Sequence, residues 1–167
     1  EALRMSPTWV VVGEVRGAYV TYLLEAATSG ISSVMCTIHS RSARGVFKKV
    51  KINALKANPA PDPELVMSSL TELDLVIHVH RDRNYDRYVS GIYELREVGD
   101  SGLPDLVPIF EDPRRGTGRP IAKGSGALSE DLRMRLEAVG FEADQWLNPQ
   151  KVPPDWRISR PRGEWAS

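Results

Sequence analysis

Glu14 closes the run Val10-Val11-Val12-Gly13-Glu14-Val15-Arg16-Gly17, in which an apolar stretch ends in a carboxylate and passes into a charged loop. Trp9 to Val12 are too few for a buried helix and are rich in Cβ branching, the pattern of a central strand in a parallel sheet. In open α/β sheets, ligands bind beyond the carboxyl ends of the strands, which is where Glu14 stands. A carboxylate there can orient or deprotonate an attacking water, or reach a metal ion through water, during phosphoryl transfer. It can equally be a solvated residue at a strand end. His39 follows 25 positions later, just past a second apolar run, Val34-Met35-Cys36-Thr37-Ile38. A right-handed crossover between the two runs makes them parallel, with their carboxyl ends on one rim. Glu14 and His39 are then expected to face a common cleft within roughly 15 Å, because neighbouring strands lie ~4.8 Å apart. The other reading of His39 is a buried, hydrogen-bonded histidine at a strand end.

Other polar groups point to less chemistry. His78 and His80 alternate on one strand face with no third ligand nearby, so they read as structural, and no metal ligands are expected. No G-x-x-x-x-G-K-[ST] occurs among the 167 residues. Gly116-Thr117-Gly118-Arg119-Pro120 does not replace it, since Pro120 removes an amide donor that a phosphate cradle needs.

The elements that must position these residues follow from periodicity. From Gly17 onward, Val20, Leu23, Leu24 and Ala27 recur at helical spacing, and Gly30 stands where a helix ends. Ser42 can cap a helix whose inward stripe is Ala43, Val46, Phe47, Val50 and Ala54. Asp62-Pro63 opens another, lined by Leu65, Val66, Ser69, Leu70 and Leu73. Asp74 to Val79, Tyr88 to Val98 and Leu106 to Phe110 are β-rich runs separated by polar turns, and a meander is expected. Asp112 to Gly126 reads as a loop. A short helix after it uses Leu128 as a staple and Ser129 as a cap, with Leu132, Leu136 and Val139 inward and Gly140 at its end. The expected fold class is α/β: half of an α/β sheet with an antiparallel β-meander on its edge and a short C-terminal helical extension.

Composition bounds the partners. Lys and Arg total 22, as do Asp and Glu, so net charge makes no case for nucleic acid or an anionic membrane. Cys36 stands alone and cannot form an internal disulfide, which fits the cytoplasm. No apolar run approaches the ~20 residues of a membrane span. The chain starts at Glu1, and Ala2 to Met5 reads as the end of a helix whose beginning is absent. The expectation is therefore a fragment.

Leu3-Arg4-Met5-Ser6-Pro7, Val11-Val12-Gly13-Glu14-Val15-Arg16-Gly17 and Thr37-Ile38-His39-Ser40 together resemble the core of the type II/IV secretion ATPases, specifically the CpaF-like (Tad) pilus-assembly branch. Leu73 to Val79 and Ile92 to Leu95 resemble later strands of that family, and the likeness runs well from Ala2 to about Phe110. It implies a partial RecA-like P-loop ATPase sheet. Residues 1–111 would be the C-terminal half of that ATPase domain, 112–147 a loop and short-helix extension, and 148–167 a Pro-rich tail. It makes Glu14 the Walker B catalytic base and Gly13 the point where backbone passes close to nucleotide. Arg16 would sit at a subunit interface or organise the loop, and His39 would belong to a histidine box near the γ-phosphate. For the intact protein it implies ATP and Mg2+, a homo-oligomeric, hexameric ring, an inner-membrane pilus or secretion platform as partner, and no nucleic acid. The location would be cytoplasmic, peripheral to the inner membrane. The chain departs from the family at Ile31, where a polar residue is usual, and at Tyr19, where an acid is common. Two further readings stay open: a catalytically inactive interaction module derived from such an ATPase, and an unrelated α/β binding domain.

Overall fold

The structure, a computed structural model, describes residues 7–31, 33–81, 85, 87–112, 121–122 and 127–147. Expectations for Ala2 to Met5, for Gly116 to Pro120 and for the tail from 148 lie outside these. In chain order the elements are β1 (Trp9–Val12), a 3-10 turn (Gly17–Tyr19), α1 (Val20–Thr28), β2 (Ser33–Cys36), α2 (Gly45–Ala54), α3 (Pro63–Ser69) and a second 3-10 turn (Leu70–Glu72). They continue with β3 (Leu75–Arg81), β4 (Arg87–Val98), β5 (Pro104–Glu111), β6 (Ile121–Ala122), α4 (Glu130–Ala138) and α5 (Ala143–Trp146). No helix among the described residues is long and apolar enough to cross a membrane.

β1 and β2 pair in parallel, with Trp9 opposite Ser33 and Val12 opposite Cys36. One face of the pair packs on the main core through Val12, Val34 and Cys36, against Val20, Leu23 and Leu24 of α1, Phe47 and Val50 of α2, and Val66 and Met67 of α3. The opposite face exposes Trp9, Val11 and Met35. The sequence predicts a strand covered on both faces, but here β1 alternates between exposed and half-buried residues. Among the described residues no element lies on its outer side to remove that apolar area from water.

The helix boundaries obey local chemistry. Asp62 Oδ1 accepts the Glu64 amide at 2.7 Å at the start of α3, whereas the cap position of α2 is Arg44 and the predicted cap, Ser42, accepts the Gly45 amide at 3.1 Å from before the preceding turn. Gly30 and Gly140 end their helices at φ of +77° and +86°, a conformation that glycine adopts without a Cβ clash. Three inward assignments change. Ala26, not Ala27, is fully buried in α1, Leu65 is 63 % exposed, and Val139 is 81 % exposed. Met67 fills the core in place of Leu65, and Val139 has already left the helical turn that would aim it inward.

The β-rich runs form the expected antiparallel meander, but it is not an edge of the β1–β2 sheet. It is a separate four-stranded sheet in the order β3-β4-β5-β6, and β6 falls within the stretch read as a loop. The cause is the layer between the sheets. α3 and the following 3-10 turn present Val66, Met67 and Leu70 to the sheet's inner face, where Val76, Leu95 and Leu106 meet them. The sheet is thus held by face burial and has no ladder to β1 or β2. A second cluster covers its other face, joining Ile109, Ile92 and Phe110 to Leu128, Leu132, Ala143 and Leu147.

Candidate functional site

The loops after β1 and β2 are laced together beyond the last strand residues. The Thr37 amide donates to the Val12 carbonyl at 3.3 Å, and the Val15 amide to the Thr37 carbonyl at 2.9 Å. The Thr37 hydroxyl donates to the Gly13 carbonyl. Val15, 2 % exposed, anchors the loop in the core. Residues on either side of a buried anchor turn outward, and Glu14 and Arg16 do so.

These restraints bring the predicted residues together. Glu14 Oε2 is 2.7 Å from Arg16 Nη2, and Glu14 Oε1 is 3.3 Å from His39 Nε2. The separation of Glu14 and His39 lies well inside the range set by parallel strands, and neither side chain points into the core. His39 is 87 % exposed, so its buried strand-end reading fails. Gly17, at φ +54°, makes the left-handed step from this loop into the 3-10 turn before α1. Gly13 carries no such demand, and a Cβ placed on it meets nothing within 4 Å.

The electrostatics favour an ionised carboxylate. The Arg16 hydrogen bond holds the Glu14 pKa below its ordinary value; desolvation opposes this, and the charges of Arg16 and His39 reinforce it. Glu14 in turn raises the Arg16 pKa, first through the hydrogen bond and then through its charge. As arranged, Glu14 is a strong hydrogen-bond acceptor and a weak base. The most effective general base has a pKa near the working pH, so proton abstraction requires Arg16 to move off the carboxylate. At 77 % exposure its side chain is free to do so.

The fit to a magnesium nucleotide is partial. An ionised carboxylate beside a guanidinium and an imidazole suits a water and the outer oxygens of a phosphate. The sequence holds no G-x-x-x-x-G-K-[ST] run of the kind whose backbone cradles the remaining phosphates. Ile31 precedes β2 and so lies at the amino-terminal rim, opposite the Glu14 cluster. Its departure from the family pattern does not touch this site. Tyr19 is 71 % exposed beside Tyr22, ring centroids 6.3 Å apart. Sequence reasoning missed Thr37 as the residue that ties the loops. The signal available was a hydroxyl at the end of an otherwise apolar run.

Away from the rim, His78 Nδ1 is 2.6 Å from Ser90 Oγ, and His80 meets Tyr88 edge-on at 5.6 Å. Burial, and then the charge of His80, lower the His78 pKa. Burial also pushes the Cys36 thiol up, away from the reactive thiolate.

Residues 1–81 match the family model described as "Type II/IV secretion system protein". Two Mycobacterium tuberculosis proteins named for conjugal transfer, from strains CDC 1551 and H37Rv, are each 32 % identical over 139 residues, which is 83 % of this chain and 37 % of theirs. An uncharacterized protein of Methanocaldococcus jannaschii is 28 % identical over 147 residues, 88 % of this chain and 51 % of that protein. Among solved structures, the VirB11 ATPase of the Brucella suis type IV secretion system, crystallised with sulphate, matches with a TM-score of 0.50 at 25 % identity. That match covers 56 % of this chain and 30 % of the VirB11 chain. The chain spans 37 % to 51 % of the length of these curated relatives.

Proposed function

From the likeness of residues 1–81 to type II/IV secretion system proteins, we propose that this chain is part of a secretion-system ATPase of the CpaF-like pilus-assembly branch. In this reading residues 1–111 are the C-terminal half of a RecA-like ATPase domain. The intact protein forms a hexameric ring, binds Mg-ATP between subunits and couples hydrolysis to pilus assembly or protein export. It works at the cytoplasmic face of the inner membrane, against a membrane-embedded platform protein. A bound magnesium ion would supply charge neutralisation at the phosphates.

One observation carries the reading: the ionised Glu14 carboxylate stands at the carboxyl rim of β1 between Arg16 and His39. Within the site, Glu14 orients the attacking water and accepts its proton once Arg16 has turned away. His39 holds the second carboxylate oxygen, which keeps the acid aimed along the rim, and Gly13 leaves open space beside it. Replacement of Glu14 by Gln in the full-length parent protein keeps the shape and removes the base. Turnover should fall by a factor on the order of 10² or more while nucleotide binding persists. Hydrolysis at the parent rate would make Glu14 a strand-end residue only.

A second reading rests on the Arg16 clamp. If Arg16 never leaves Glu14, the acid is no base, and the chain is an inactive interaction module derived from such an ATPase. In that case Glu14→Gln and the parent hydrolyse equally slowly.

A further inference from the structure

Six of the 22 Lys and Arg residues, and none of the 22 Asp and Glu, lie between Ser40 and Pro61. They are Arg41, Arg44, Lys48, Lys49, Lys51 and Lys56, and all are exposed. The chain is neutral as a whole, so the rest of it is acidic by six charges. Ion pairs among the described residues are made by Arg16, His39, Arg96, Arg133 and Arg135. None involves the six cations of this segment.

α2 and its two flanking turns gather five of them, all but Arg41, on one side. The inward stripe of α2 is Phe47, Val50, Asn53 and Ala54. Helical periodicity puts Arg44, Lys48, Lys51 and Leu55 on one flank of the opposite arc and Lys49, Ile52 and Lys56 on the other. Ile52 and Leu55 remain 44 % and 48 % exposed among these lysines. A solvated helix face usually alternates charge sign and gains from i,i+4 pairs. Here Arg44 and Lys48 stand four apart and Lys48 and Lys51 three apart, so neighbours repel. In the isolated chain this arrangement only costs stability, whereas an anionic counter-surface removes the repulsion.

We propose that the outer face of α2 seats on an anionic phospholipid surface. Charge complementarity selects an anionic partner, and the interleaved aliphatics select a planar interface. Ile52 and Leu55 enter the boundary beneath the headgroups while the flanking lysines and arginines reach the phosphates. A nucleic acid fits this face less well. The arc carries no aromatic ring on which a base could stack, and four of its five cations are lysines, which lack the planar fork of arginine. The acidic remainder of the chain is repelled by the same surface, which orients the molecule with α2 downward. The proposal needs neither ATP nor Glu14 and stands apart from the nucleotide reading.

Co-sedimentation of the 167-residue chain with vesicles tests it. The chain should partition onto phosphatidylcholine vesicles containing phosphatidylglycerol, stay free of pure phosphatidylcholine, and come off as salt rises. Each cation near an anionic surface is worth about fivefold, so the triple variant Lys48→Gln, Lys49→Gln, Lys51→Gln should bind roughly a hundredfold more weakly. Ile52→Ser with Leu55→Ser should weaken the binding and lower the salt concentration at which the chain comes off. Arg87→Gln, on β4, should change nothing. A folded chain, checked by circular dichroism, that ignores the anionic vesicles at low salt would overturn the proposal. So would equal binding by the triple variant, or tighter binding to a DNA duplex or to polyglutamate than to the vesicles at the same salt. A triple variant that alters self-association in sedimentation velocity but leaves vesicle binding intact would assign α2 to a contact between copies and overturn it too.

Discussion

The Glu14 carboxylate has two partners of unequal effect. Arg16 contributes the larger share of its lowered pKa, through a hydrogen bond and then through charge, and His39 contributes the smallest share. The pair is therefore intact above the ordinary glutamate pKa and is lost as pH falls through the lowered value. Arg16→Gln should move the Glu14 titration midpoint upward, toward the ordinary glutamate range, and His39→Gln should move it less. Carbon-detected NMR titration of the Glu14 side-chain carboxyl reads both. An unchanged midpoint in Arg16→Gln would mean that the contact is not populated in solution. The same measurement bears on mechanism, since any rise brings the acid closer to a useful base.

At the scale of elements, a side-chain network ties β4 to the start of α4. Glu94, 4 % exposed on β4, accepts from Arg96 Nη2 at 2.9 Å and from the Ser129 amide at 3.0 Å. Arg96 Nη2 also donates to the Ala127 carbonyl at 2.9 Å. Ser129 Oγ in turn accepts the Leu132 amide at 3.2 Å, so one carboxylate and one hydroxyl organise the start of α4. An anion at a helix N-terminus is also favoured by the helix dipole. Glu94→Ala takes the carboxylate from a guanidinium that keeps only the Ala127 carbonyl, and leaves the Ser129 amide without its acceptor. The loss should be about 2 kcal/mol, toward the middle of the range for bonds to charged groups. A fully buried pair would lose more; Arg96 is 39 % exposed and recovers part of the loss from water. Chemical denaturation gives the magnitude, and amide exchange along α4 gives the location. Unaltered exchange in α4 would show that the apolar cluster under Leu128 and Leu132 holds the helix alone.

At the scale of the whole molecule, two apolar clusters lie on opposite faces of the meander, and the parallel pair β1–β2 packs on the first of them. The rim that carries Glu14 is built entirely from that parallel pair. It offers an acid and two groups able to face phosphate oxygens, but no amide cradle for the rest of a nucleotide. Isolated, the chain should therefore bind Mg-ATP weakly, and calorimetry should find no submicromolar site. Tight binding would mean that another part of these 167 residues holds phosphates.

Much of this was legible along the chain. Apolar spacing marks α1, α2 and β4; Asp62 and Ser129 mark helix starts, and Gly30 and Gly140 mark helix ends, because capping and periodicity are local physics. The shared rim of Glu14 and His39 also follows from sequence, since a strand-helix-strand unit with parallel strands leaves both carboxyl ends on one side. Tertiary structure decided the rest. Whether the meander extends the first sheet or stands apart depends on what its faces bury, and Leu70, Leu95 and Leu106 resolve that through contacts far apart in sequence. Leu65 and Val139 have the right residue type for a core, but an apolar side chain is buried only where a neighbour exists to cover it. The 3.3 Å contact between His39 and Glu14 depends on loop backbone held by Thr37 and Val15, whose bonds cross between segments that periodicity treats separately.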